Sequence, residues 1–124
     1  MNLWIKLGSI FGGLSVIFGA FGAHSLKARL TEKSLATFEK GVEYQFMHSL
    51  ALILVGIMVA QVADEHRKKV ARSGWLFIVG IMLFSGSLYS LALGGPRWMG
   101  PVTPLGGLCF ISGWFLLAFS LPKK

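Results

Sequence analysis

Residues 42–63 read VEYQFMHSLALILVGIMVAQVA, and the nature of this stretch decides the fold. Nothing after Glu43 carries a formal charge, and every residue from Leu50 to Ala60 is apolar or glycine. At about 1.5 Å rise per residue, roughly 20 such residues cross a hydrocarbon core about 30 Å thick. Three further stretches are of the same kind: Leu3 to Ala23, Ser73 to Leu93, and Thr103 to Leu121. The expectation is an all-α membrane protein, one domain over residues 1–124, with four transmembrane helices in a compact left-handed bundle.

Composition supports the bilayer as solvent. Of the 124 residues 54% are hydrophobic and only 14% charged, against about 25% charged in a typical soluble domain. A soluble chain this short has too little interior for so many Leu, Ile, Val and Phe side chains. The sixteen glycines agree, since Gly is commoner in membrane helices than in soluble ones. The first stretch follows a lone Lys6 and ends in small residues, as a signal peptide does. Its apolar run is longer than a usual signal core and its start is barely basic, so a retained helix is expected.

Boundaries carry physical markers. Gly94, Gly95 and Pro96 stop the third span, Thr103 before Pro104 suits a helix start, and Pro122 with Lys123 and Lys124 ends the fourth. The connection Asp64 to Arg72 is read as short and charged, which makes the second and third helices antiparallel neighbours. Before the second span, Leu35, Phe38 and Val42 recur at helical spacing among Glu and Lys residues. About Thr31 to Gly41 therefore predicts a short amphipathic interfacial helix running straight into the span.

The net charge of +7 comes from Lys and Arg in short runs between apolar spans. That pattern reads as topology signals and contacts to membrane lipids, not as a basic face for nucleic acid. Lys6, Arg67, Lys68, Lys69, Arg72, Lys123 and Lys124 share one side of the membrane; Lys27, Arg29, Lys33, Lys40 and Arg97 share the other. The excess favours both termini in the cytoplasm. Trp4 and Trp75 then fall at the inner interface and Trp98 at the outer one.

Helices approach closely in lipid where small residues let them. Such residues recur seven apart in every span: Gly8, Ser15, Gly22; Ser49, Gly56, Ala63; Ser73, Gly80, Ser87, Gly94; Gly106, Gly113, Ser120. The first span adds Gly12 and Gly19, so it is expected to be the tightly packed central helix. An unmatched stripe would instead serve a homo-oligomer or a larger membrane complex.

Polar groups in hydrocarbon need partners. Tyr44, Gln45, His48 and Ser49 lie on one side of the second span by i,i+3 and i,i+4 spacing, and Ser85 and Tyr89 share a face of the third. With His24 at the outer end of the first span, these groups are expected to converge in the outer half of the membrane over a dry inner half. The reading that follows is a non-enzymatic protein whose outer pocket binds a small polar ligand or lipid headgroup, or which docks on a membrane complex. The alternative is a proton-coupled transporter or channel subunit using His48, whose imidazole titrates in the working pH range. The plainer reading, of equal weight with the pocket, is that His48 and Gln45 simply make interhelical hydrogen bonds, each worth on the order of 1 kcal/mol. No cofactor or metal is expected: His24 and His48 sit on different helices at unequal depth, and Cys109 is the single cysteine. Nor is there a GxSxG or a buried Asp for nucleophilic catalysis. Trp114, near mid-membrane, reads as core packing or a cavity wall.

The runs Gly19-Ala20-Phe21-Gly22-Ala23-His24, Tyr44-Gln45 with His48, Phe84-Ser85-Gly86-Ser87-Leu88-Tyr89, and Thr103-Pro104-Leu105-Gly106-Gly107 with Gly113-Trp114 together resemble the DUF423 family of small bacterial membrane proteins, which includes transmembrane protein 256-like chains. The resemblance covers essentially the whole chain. It implies four helices, a bacterial inner-membrane location and the importance of His24, Tyr44, Gln45, His48, Ser85 and Tyr89, and it supplies no activity.

Overall fold

The computed structural model describes residues 2–121. The stop signal at Pro122 and the cations Lys123 and Lys124 lie outside the described residues. Four helices are long and apolar enough to cross a membrane, and no strand occurs among the described residues.

Helix α1 (Leu3–Phe21) starts at Asn2, whose side-chain oxygen accepts from the Trp4 N–H at 3.0 Å while its Nδ2 donates to the Gly56 carbonyl at 2.6 Å. The cap thus also ties α1 to the second span. A π-helical turn, Gly22–Leu26, carries the span past the expected end at Ala23. Helix α2 (Glu32–Gln61) is capped by Thr31, which accepts from the Ser34 N–H, and has Glu32 in its first turn, where the helix dipole favours an acid. The amphipathic segment and the second span form this one helix, as expected.

The third span, Asp64–Ala92, differs from expectation at its start. Residues 64–72 are not a connection but the opening turns of α3 (Asp64–Gly80); only Val62 and Ala63 separate it from α2. Asp64 and Glu65 occupy the favourable N-terminal turn, Arg67 pairs with Asp64 at 2.8 Å, and Val70 is fully buried, so the charged run has an apolar face to dock. The span continues through a π-helical turn, Ile81–Ser85, into α4 (Gly86–Ala92). Gly94 then takes φ +88°, a left-handed conformation that favours glycine. After the 3-10 turn Arg97–Met99 comes α5 (Val102–Phe119). Thr103 lies inside α5 instead of capping it, and its hydroxyl hydrogen-bonds Ser87 of α4.

The helices form two closely packed pairs, α1 with α2 and α3 with α5, joined where α2 meets the third span. All the seven-spaced small residues are buried except Ala63 and Gly94 at helix ends. They act as contact points: a Cβ on Gly8 would lie 2.7 Å from the Ser49 carbonyl oxygen, and one on Gly113 2.7 Å from the Phe77 ring. The central helix, however, is α2. The second span has 39% of its apolar window buried inside the protein, the first and fourth only 17% each. The expectation for the first span fails because its glycines admit one close neighbour, α2, and close approach on one side does not surround a helix. The main core joins Trp4, Leu52, Val55, Phe77 and Phe110. Trp4 is buried there, edge-on to Trp75 at 5.0 Å, while Trp75 and Trp98 are exposed as an interfacial belt requires.

Candidate functional site: two intramembrane grooves

The pairing of helices leaves a groove on each side of the seam between α2 and the third span. The seam itself is closed by Ser85, whose hydroxyl donates to the Gly41 carbonyl at 2.7 Å, and by Gly41, where a Cβ would lie 2.7 Å from the Tyr89 ring.

On the α5 side, His48 is almost wholly buried, with its ring 3.6 Å from that of Phe110 and only 9° from parallel. Trp114 donates its indole N–H to His48 Nε2 at 3.0 Å, so Nε2 acts as acceptor. Nδ1, 2.8 Å from the Tyr44 carbonyl oxygen, must then carry the proton and donate it. A neutral imidazole satisfies both contacts. The Tyr44 ring packs against Phe84 at 4.7 Å and runs within 19° of parallel to Phe110. These rings floor a groove of about 340 Å³, with Met47, Ile111 and Gly107 completing its walls. Lys40 stands one turn before Tyr44, its ammonium 6.0 Å from the ring centre and 3.4 Å from Glu43. Glu43 therefore pairs with Lys40, one turn back on its own helix.

On the α1 side, Gln45 bridges three elements. Its Nε2 donates to the Phe11 carbonyl of α1 at 2.8 Å, and its Oε1 accepts from the Tyr89 hydroxyl of α4 at 2.6 Å. Both groups line a second groove, of about 250 Å³, between Leu14 of α1 and Met82 and Gly86 of the third span.

The six residues singled out by sequence are thus not one pocket. Tyr44 and His48 face α5, Gln45 and Tyr89 face α1, Ser85 closes the seam between them, and His24 is exposed at the end of the first span, away from both grooves. The reason is helical geometry: neighbours such as Tyr44 and Gln45 lie about 100° apart at 3.6 residues per turn, enough to reach different partners. The polar layer also reaches deeper than an outer-half cluster, since Trp114 stands past the middle of α5 and Phe11 at the middle of α1. Sequence reasoning did not pair Trp114 with His48. The available signal was a mid-membrane indole N–H, which needs an acceptor. Among the described residues no buried side-chain polar atom lacks a hydrogen-bond partner.

The fold and these sites define an integral membrane protein of four helices, with a layer of hydrogen-bonded polar side chains flanked by grooves. Residues 18–107 match the family model described as "Protein of unknown function (DUF423)". The chain is similar over 99% of its length to UPF0382 membrane protein SH2409 of Staphylococcus haemolyticus, at 44% identity and 98% of that protein. It is similar over the same share to UPF0382 membrane protein YwdK of Bacillus subtilis, at 38% identity and 98% coverage, and to a UPF0382 membrane protein of Haemophilus influenzae, at 37% and 96%. No solved structure matches. The chain belongs to the DUF423 family.

Proposed function

We propose that this is a non-enzymatic, lipid-binding protein of the bacterial inner membrane, with both termini in the cytoplasm, and that the groove between α2 and α5 takes one anionic phospholipid. The observation that carries this reading is the match of chemistry along the groove. Its wall from Phe84 to Trp114 is aromatic and apolar and opens sideways through exposed Met47 and Ile111, as an acyl chain requires. Toward the start of α2 lie two groups that suit a phosphate: the Tyr44 hydroxyl, which no described residue engages, on a residue that lines the groove, and the Lys40 ammonium, 6.0 Å from the Tyr44 ring centre and 3.4 Å from Glu43. Lys40 and Tyr44 belong to the end of α2 where the helix enters the membrane, the depth of a headgroup.

The neutral His48, with both ring nitrogens engaged, supports a structural part in the groove floor over that of a proton carrier. Stability in detergent tests the reading. Added dioleoyl phosphatidylglycerol is expected to raise the melting temperature of the wild type but not of Gly107→Leu. A Cβ at Gly107 has only Phe84 Cδ2 near it, at 4.0 Å, and Gly107 lines the groove, so a larger side chain there is expected to occupy it. An equal rise in both proteins refutes the site.

A further inference from the structure

The groove on the other side of α2 has a different chemistry. Two adjoining cavities, of about 250 and 180 Å³, share Phe18 and Tyr89 in their walls and occupy the cleft beside the third span from Ile81 to Leu93. Among the described residues no charged side chain lines either cavity. Among the described residues the only side-chain polar groups on the walls are Gln45 and the Tyr89 hydroxyl, and they sit partway along the cleft with apolar wall on both sides. Each retains hydrogen-bonding capacity. Gln45 Nε2 has a second N–H beyond the one given to Phe11, Oε1 has a second lone pair beyond the one accepting Tyr89, and the phenolic oxygen is free to accept. Gly86 forms open floor next to this pair: a Cβ there would meet nothing within 4 Å. The outer stretch is walled by rings, with Phe18 edge-on to Tyr89 at 5.4 Å and Phe38 at 5.0 Å.

Among the described residues a charged headgroup finds no counter-ion in this cleft, and a plain hydrocarbon would leave the spare valences of Gln45 and Tyr89 unused. We propose that the cleft between α1 and the third span binds a neutral long-chain lipid whose head presents a carbonyl or hydroxyl oxygen, that polar atom meeting the Gln45–Tyr89 pair and the chain lying along Phe11, Leu14 and Met82. Such chemistry comes from two sources, a prenylated quinone or a long-chain alcohol. This site is independent of the phospholipid groove on the opposite face.

Three probes added to the purified protein in detergent test it by thermal unfolding: decyl-ubiquinone, 1-hexadecanol and hexadecane. A rise of several degrees with the quinone points to a ring carbonyl as the recognised group, and a rise with the alcohol points to a hydroxyl. Hexadecane, with no polar atom, is expected to give none. The response is expected to disappear in Gly86→Leu, at a position where a Cβ meets nothing within 4 Å, and in Leu14→Trp, which narrows the same cleft from α1. It is expected to persist in Gly107→Leu, which blocks only the other groove. The proposal is overturned if no polar probe stabilises the wild type, if hexadecane stabilises it equally, or if both cleft-filling variants respond as the wild type does.

Discussion

His48 shows why a buried polar residue in this protein does structural work. Both its nitrogens have partners, and its ring lies flat on Phe110. Replacing it by Ala leaves the Trp114 N–H without an acceptor and opens a cavity beneath the ring. His48→Ala is therefore expected to cost about 2–4 kcal/mol. Trp114→Phe removes donor and demand together while keeping a ring in place, and about 1 kcal/mol is expected. Reversible unfolding in mixed micelles measures both, and equal losses would refute the pairing. Tyr89→Phe leaves Gln45 Oε1 short of one donor, with about 1 kcal/mol expected in the same assay. That His48, Gln45 and Tyr89 need hydrogen-bond partners was legible in the sequence, because any His, Gln or Tyr within a span is expensive there. Their grouping was not. Spacing along one helix says which residues share a side, but the partner of each depends on whether α1, α5 or the third span stands opposite, and no local pattern records that.

At the scale of the element, glycine is informative only with its neighbour known. Gly8 and Gly13 both sit in α1, yet a Cβ at Gly8 would press on the backbone of α2 at Ser49 and Ile53, whereas one at Gly13 meets nothing within 4 Å. Gly8→Ala is expected to destabilise by about 1–3 kcal/mol through overpacking, and Gly13→Ala to be neutral or slightly stabilising through helix propensity. Thermal unfolding of the two variants side by side checks this, and similar losses would contradict the assigned face of α1. The seven-residue stripes were readable as contact positions, and nearly all are buried. Which stripe sits at the centre was not readable, because a rich stripe marks closeness to one neighbour and says nothing of how many neighbours there are. The π-helical turns escaped for another reason: one extra residue per turn leaves no signature in composition. Nor did the helical start of α3 show, since the Lys and Arg that make residues 64–72 look like a loop are also good helix formers.

For the whole molecule, the count of spans follows from hydropathy and length alone, and so was legible throughout; the family resemblance read from the motifs holds as well. Orientation rests on the cation excess at one end. In a Cys109→Ala background, Lys68→Cys is expected to resist a membrane-impermeant maleimide in intact cells and Arg29→Cys to react. The reverse pattern would turn the protein over, placing Lys40 and the Tyr44 end of the α2–α5 groove in the inner leaflet. The two grooves are a property of the whole arrangement: two tight helix pairs joined along a single seam leave space on both sides of it, and no single helix contains either site. Native mass spectrometry of the gently purified protein tests the central claim most directly. A groove between α2 and α5 that holds a phospholipid predicts one phospholipid mass retained per chain of wild type through detergent removal and lost from Gly107→Leu. Wild-type protein that sheds all phospholipid, or a Gly107→Leu variant that retains it equally, would contradict it.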